Sequence, residues 1–422
     1  MRSTLFIIPH EFAGWPLLGF GALFWGLIIA FVIWGIFQLK SKSMQHDWLS
    51  SVSVWGLAVL MVSVILPQIE LRTETGIPLG LPIRGYGVMV LAGLMAGIGI
   101  TIWRGNQLGV QGERIVSLGF WMMIGGVLGA RLFYVIQKWD QFDGLTFFER
   151  LIESLKLTEG GLVIYGGVFG GLAAGTIYCL RNRMAVLATA DLIAPGFLIG
   201  LSFGRLGCLL HGCCYGGICT ADLPSITFPK FSVPYQAQLE NGRLLGIHLA
   251  SRSDGNSVIE DVEPQGLASQ HGLTSGAMVQ SIQLLKLSDE ETTNPALPSP
   301  VVTELRADNQ LYRFWPNELL TRSLPVHPSQ IYASINALLL CVLVWLIQPI
   351  PKHDGIAFLV AILLYSISRF LLEWIRSDEA GQLGTSFTIS QIISACGFIT
   401  ATLTIIGISL RPASRFWDWR AA

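Results

Sequence analysis

Charge is what this sequence has little of. Only 13% of its 422 residues are Asp, Glu, Lys or Arg, against roughly 25% in a soluble globular protein, while 52% are hydrophobic. That shortage excludes an ordinary soluble domain and points to a membrane protein. An excess of either sign is missing too. The net charge of -1 gives no electrostatic case for nucleic acid, and no nucleic-acid partner is expected. A small secreted disulfide framework is absent as well: the seven cysteines are odd in number, and Cys208, Cys213, Cys214 and Cys219 crowd together. No small-residue cleavage site follows the apolar run at 17–39, which reads as a retained helix and not a signal peptide.

What is present is a series of apolar segments of about 20 residues, the length that crosses a hydrocarbon core. Nine are expected: 17–39, 51–68, 85–103, 115–137, 161–180, 187–209, 331–349, 355–375 and 388–410. The weakest are 51–68 and 161–180. In the latter, Gly166, Gly167, Gly170, Gly171 and Gly175 suit a tightly packed helix, since small residues let backbones approach closely. The fold expected is an all-α polytopic membrane protein of about nine helices, with two N-terminal spans ahead of a seven-helix core. Lys and Arg concentrate in alternate loops (40–50, 104–114, 181–186, 350–354 and the C-terminal tail). These are therefore cytoplasmic, and the N-terminus and 210–330 lie outside.

Within the outer segment, 240–315 changes character. Val258 to Val262 reads as a strand, Pro264 to Ser269 as a turn into a short helix, and Gly276 to Val279 leads into another strand. This order resembles a degenerate PDZ domain, and such domains bind an extended peptide at a sheet edge. A structural spacer is the other reading. The organisation expected is thus 1–79 for the extra helices, 80–220 and 325–410 for the two parts of the core, and 240–315 for a small β-rich, PDZ-like periplasmic insertion.

Ionisable residues inside membrane segments are costly and mark function by default. Arg131, Arg205, Arg369 and Glu373 fit that description. Arg369 and Glu373 are four apart, on one helix face, and Arg376 follows one turn later. A structural ion pair would explain one such pair. Several arginines on one half of a bundle suit a phosphate, which the planar guanidinium grips with two bonds. A second signal is Pro325 to Tyr332. His327 before Pro328 is extended, and Ser329 and Gln330 then open a helix whose N–H groups favour an anion. His327 fits a base, a phosphate donor or a packing role on spacing alone. The third signal is Gly204 to Gly217. Zinc on Cys208, His211, Cys213, Cys214 and Cys219 meets a geometric objection, because adjacent cysteines seldom share one tetrahedral ion. No metal and no cofactor are therefore expected. A Cys213–Cys214 or Cys214–Cys219 disulfide stays open as an alternative.

These pieces, in order, resemble the prolipoprotein diacylglyceryl transferase family. The matching motifs are Arg84-Gly85-Tyr86-Gly87, Gly129-Ala130-Arg131, Gly160 to Gly167, the glycine- and cysteine-rich stretch from Gly204, His327-Pro328-Ser329-Gln330-Ile331-Tyr332, and Arg369 to Glu373. They cover roughly 80–220 and 325–410. The resemblance implies transfer of the diacylglyceryl group from phosphatidylglycerol to the lipobox cysteine of a prolipoprotein, in the cell inner membrane with the site facing outward. Phosphatidylglycerol, prolipoprotein signal peptides and membrane lipid are the implied partners, with a peptide as the ligand of the PDZ-like segment. It implies catalytic roles for Arg205, Arg369, Glu373, His327 and Tyr165. Tyr86, Arg131, Gly166, Gly167, Gly216, Ser329 and Gln330 would then bind substrate.

Three positions depart from the family pattern. Tyr165 replaces a histidine, and a tyrosine, whose ordinary pKa is about 10, is a poor base. Cys208 replaces an asparagine, and His211-Gly212-Cys213 replaces Asn-Gly-Glu. The general base stays open between His327 and His211. Two other classes of function remain at this point. A non-catalytic receptor would tolerate loss of single arginines, and a thiol or metal protein would depend on Cys213 and Cys214.

Overall fold

Long apolar runs leave the backbone one way to satisfy its own hydrogen bonds in hydrocarbon, the α-helix. The structure, a computed structural model, describes residues 4–12, 14–40, 55–56, 58–59, 61–72, 76–139, 161, 163–219, 223–251, 257–286, 301–308, 310–376 and 387–417. It divides into two units, residues 1–88 and 89–422. In the first, β1 (Thr4–Pro9) pairs antiparallel with β5 (Pro78–Arg84), whose other edge takes β4 (Leu71–Arg72). The strands β2 (Glu11–Phe12) and β3 (Trp15–Pro16) form a small hairpin. His10 Nδ1 donates to the buried Glu70 carboxylate at 3.0 Å. Helix α1 (Ala22–Lys40) is apolar over Ala22–Ile36. The expected span at 51–68 lies partly outside the described residues; its end is a π-helical turn, Met61–Ile65, followed by α2 (Leu66–Ile69).

Among the described residues, six helices are long and apolar enough to cross a membrane: α3 (Gly85–Gln107), α4 (Gly112–Gln137), α6 (Val186–His211), α9 (Ser329–Ile347), α10 (Ile356–Glu373) and α11 (Ile389–Ser409). The protein is therefore a multi-pass membrane protein. Large apolar side chains such as Trp121, Leu339, Leu346 and Leu403 are exposed on the helices, as lipid-facing surfaces require. Between α4 and α6 runs α5 (Ile164–Arg181), whose glycines keep its hydropathy below that of the six.

Those glycines have a packing cause. A Cβ on Gly129 of α4 would strike the carbonyl oxygen of Gly166 and lie 2.8 Å from the Cα of Gly170, so α4 and α5 cross with backbones in contact. Backbone cannot yield as a side chain can. Gly129→Val is therefore expected to destabilise by at least about 1–3 kcal/mol. Thermal unfolding in detergent would read this, and an unchanged midpoint would refute the tight crossing.

The other helices are joined by polar contacts that their own backbones do not use. Ser202 on α6 and Ser334 on α9 share a buried hydrogen bond of 2.8 Å, and Gln348 Nε2 donates to Asp191 O at 2.7 Å. The buried Asp191 carboxylate accepts from the backbone N–H groups of Gly355 and Phe358, at 2.7 and 2.8 Å. It thereby caps α10 from a neighbouring helix.

The described residues between 233 and 314 form a β-meander with its own core cluster. After α7 (Val233–Glu240) come β6 (Ile247–Ser251), β7 (Ser257–Val262), the short α8 (Leu267–Gln270), β8 (Met278–Lys286), β9 (Val301–Ala307) and β10 (Gln310–Phe314). All neighbours in the sheet are antiparallel, in the order β10-β9-β8-β7-β6. The strand, helix and strand expected between 258 and 279 are there. The core also draws on Tyr235 and Leu239 ahead of 240 and on Leu319 beyond 315.

Candidate active site

Three chain segments meet where α6 ends, α9 begins and α10 ends. Helix α6 stops at Gly212, whose left-handed φ of 87° lets its N–H return to Cys208 O at 2.8 Å. The following loop is stitched to the segment before α9. Gly216 N donates to His327 O and His327 N to Gly217 O, both at 3.0 Å, while Gly217 N donates to Ile375 O at 2.9 Å. A Cβ at Gly216 would lie 2.6 Å from His327 Cβ, so glycine is required for this approach. Ser329 Oγ then donates to Cys214 O at 2.7 Å, and Gln330 Nε2 to Cys213 O at 2.8 Å. Their side chains hold the cysteine loop as well as facing the cleft beside it.

That cleft is lined by Leu201, Arg205, Cys214, Ser329, Gln330, Ala333, Asn336, Tyr365, Arg369, Leu372 and Arg376. Arg205 lies within hydrogen-bonding reach of Tyr365. Arg369 Nη1 donates to Glu373 Oε2, and its Nη2 to Ser390 Oγ at 2.9 Å. Glu373 is 3% exposed. Its Oε1 accepts from Thr388 Oγ1 at 3.0 Å, and Arg376 Nε lies 3.9 Å from its Oε2. Three guanidinium groups thus line one cleft, two of them against the Glu373 carboxylate, an excess of positive charge between apolar helices. Such a site favours an anion, because charge interactions strengthen where water is excluded. Gln330 Oε1 is buried without a partner among the described residues, at a cost of about 1–3 kcal/mol unless a ligand donates to it.

The expected residues fall into separate groups. Arg205, Arg369, Ser329 and Gln330 line one cleft, with Glu373 bonded behind it. His327 contributes its backbone to the framework and is not among the cleft-lining residues. Arg131 sits at the crossing of α4 and α5, where it donates to Gly161 O at 3.2 Å and stacks 5.0 Å over Tyr134. Gly166 and Gly167 belong to that crossing, and Tyr165 opens α5, 36% exposed. Tyr86 is in the first unit, 45% exposed. Sequence reasoning missed Tyr365, Asn336 and the cleft role of Arg376. The signal was available, since Tyr365, Arg369, Leu372 and Arg376 recur every three to four residues along one face.

All seven cysteines are free thiols, so neither disulfide alternative is realised. Cys208, Cys213 and Cys214 place their sulfurs within 4.8 Å of one another, and they are the one such metal-capable cluster among the described residues; His211 and Cys219 are not part of it. Hydrogen bonds from Cys208 and Cys213, with Arg376 and Arg205 nearby, hold the Cys214 thiol below its ordinary range. Hydrogen bonds with Cys208 and then Cys214, together with burial, push the Cys213 thiol up.

Comparison with known proteins places this geometry. Residues 75–407 match the family model described as prolipoprotein diacylglyceryl transferase. The chain is 35% identical to a phosphatidylglycerol–prolipoprotein diacylglyceryl transferase of Rhodopirellula baltica over 454 aligned positions, which span 100% of the chain and 90% of that relative. To the enzyme of the same name from Clostridium tetani it is 25% identical over 341 residues, 80% of the chain and 95% of the relative. A second such enzyme, from Clostridium perfringens, is 34% identical over 166 residues, 39% of the chain and 61% of the relative. The chain belongs to the prolipoprotein diacylglyceryl transferase family.

Proposed function

We propose that this protein transfers the diacylglyceryl group of phosphatidylglycerol to the lipobox cysteine of a prolipoprotein, forming a thioether and releasing glycerol phosphate. The observation that carries the reading in this chain is the convergence of Arg205, Arg369 and Arg376 on one cleft inside an apolar bundle. Phosphatidylglycerol brings the complementary anion and the apolar tails in a single molecule.

In this reading Arg205 and Arg369 grip the phosphate and stabilise the charge that grows on it as the glyceryl C–O bond breaks. Glu373 is a positioning residue that fixes Arg369. Gln330 Oε1 accepts from a hydroxyl of the glycerol headgroup, which supplies the partner it lacks. Ser329 and Gly216 hold the framework, while His327, Tyr165 and Arg131, with Gly166 and Gly167, form the surround of the lipid and the peptide; Tyr86 is a substrate-binding residue of the first unit. The nucleophile is the substrate's own cysteine.

The cleft lies at the ends of α6, α9 and α10 opposite to Arg181, Arg183, Arg411 and Arg415. By the excess of positive charge in cytoplasmic loops, those arginines face the cytoplasm, and the cleft opens on the outer side of the inner membrane. The full complement in this reading is nine spans: the six apolar helices, the glycine-rich α5 and two N-terminal segments. The insertion is a PDZ-like module on the outer side.

The test is purified protein incubated with phosphatidylglycerol and a lipobox peptide. A diacylglyceryl mass increment on the peptide's cysteine is the expected result. No increment under conditions where a reference transferase works would refute the reading.

A further inference from the structure

Diacylglyceryl transfer needs a thiolate, and the groups that could make one are poorly placed for it. Tyr165 is a weak base, and neither His327 nor His211 is among the residues lining the cleft. The three-thiol cluster lies beside the arginines instead, with Cys214 itself in the cleft wall. We propose that Cys208, Cys213 and Cys214 bind one zinc ion as three thiolates, and that its fourth position, facing the arginine cleft, takes the thiol of the incoming substrate. This rests on the transferase reading above.

The geometric objection to adjacent cysteines is met by the backbone. Gly212, with φ of 87°, turns the chain back at the end of α6, and Cys213 N returns to Cys208 O at 3.1 Å. Cys214 then adopts φ of 60°, the left-handed region. A residue with a Cβ enters that region at a cost of roughly 1–2 kcal/mol. In extended backbone neighbouring side chains point to opposite sides; the left-handed turn lets Cys213 and Cys214 converge on Cys208. Tetrahedral zinc with bonds of about 2.3 Å needs sulfurs about 3.8 Å apart. The observed spread, within 4.8 Å, closes to that with small rotations. Ser329 and Gln330 anchor the carbonyls of Cys214 and Cys213, so the ligand loop is held from the site itself. Charge also balances. Three thiolates and one zinc(II) carry a net charge of −1, next to a cleft with an excess of arginine. Three protein ligands and one open position are the composition of a catalytic zinc site, not a structural one.

The chemistry follows. A thiol that coordinates zinc gives up its proton, here to solvent. The zinc-bound sulfur's lone pair forms the S–C bond to the glyceryl carbon. The C–O bond breaks, and its electron pair leaves on the phosphate oxygen of glycerol phosphate. The neutral thioether is a weak ligand and departs, with zinc and its three thiolates unchanged.

The full chain, purified in detergent without chelator, is expected to contain one zinc per molecule by elemental mass spectrometry. A chelator should remove it together with transferase activity, and zinc should restore both. Cobalt in its place should give thiolate charge-transfer absorption, and visible bands that shift on adding a lipobox peptide but not its Cys→Ser analogue. Cys213→Ser and Cys214→Ser should lose the metal while remaining monodisperse, and Cys396→Ser, on α11, should keep it. The chelator and cobalt arms use the unmutated chain, so misfolded variants cannot decide the outcome. Absence of zinc and of the cobalt spectrum overturns the proposal, as does a spectrum indifferent to the peptide. Full transfer by metal-free protein overturns it while leaving the transferase reading intact. Stoichiometric zinc with no transfer under any condition refutes the transferase reading and leaves only the metal site.

Discussion

Replacing Arg205 with alanine is expected to lower kcat/KM for diacylglyceryl transfer by about 10²–10³-fold, the usual loss when one preorganised donor to a developing anion is removed. Arg205 is the cleaner of the two proposed phosphate arginines to test. Arg369 is committed to Glu373 and Ser390, so its removal disturbs the bundle and the chemistry together. Arg205 stands on α6, reaches Tyr365, and faces Arg369 and Arg376 across the cleft. Its loss relieves like charges rather than orphaning an acid, so the thermal unfolding midpoint should move little while turnover collapses. Arg205→Lys keeps the charge but loses the two-pronged grip, and an intermediate rate is expected. Single-turnover transfer and thermal unfolding of both variants make the check. Alanine activity within about threefold of the unmutated protein, well short of that loss, would remove Arg205 from the site.

How much of this was legible in the sequence follows from the range of each interaction. Arg205, Arg369 and Glu373 could be found because a charge in an apolar run has no cheap explanation. The i, i+4 spacing of the last two gave their pairing without any tertiary knowledge. Ser329 and Gln330 were legible as the start of a helix, but their partners, the carbonyls of Cys214 and Cys213, lie 115 and 117 residues earlier. No local pattern encodes that contact. The convergence of Cys208, Cys213 and Cys214 was hidden for a related reason. Adjacency in sequence argues against shared ligation only for extended backbone, and the left-handed Cys214 is a property of the folded turn. The strands around Val258 and Met278 showed in the pattern of side chains, whereas Tyr235 and Leu239 come from a short helix with little amphipathic contrast and joined the insertion's core unseen. Glycine content had the opposite effect on α5. It lowered the hydropathy on which spans are read, while supplying the close packing that makes the helix part of the bundle.

Glu373→Ala should be the most destabilising of the site substitutions, by about 3–5 kcal/mol, the cost of breaking a buried charge pair from one side. The carboxylate is 3% exposed and joins two helices. One oxygen accepts from Arg369 and faces Arg376, and the other accepts from Thr388 Oγ1. Thr388 is also the N-cap of α11, where it accepts from Gln391 N in a capping box. Alanine therefore leaves Arg369 and Arg376 without the carboxylate between them, and a buried hydroxyl without its acceptor. Glu373→Gln keeps the volume and an acceptor for Thr388 but not the charge, so a smaller loss is expected. The informative variant is the double one, Arg369→Leu with Glu373→Ala. Removing both charges should return part of the stability lost with the glutamate alone. It should return none of the transferase activity, because the phosphate has lost a donor. Denaturant titration in detergent measures the first and the peptide transfer assay the second. If the double variant is no more stable than Glu373→Ala, the pair is not held by charge. If it recovers activity as well, Arg369 acts only to hold the fold, and Arg205 and Arg376 alone bind the phosphate.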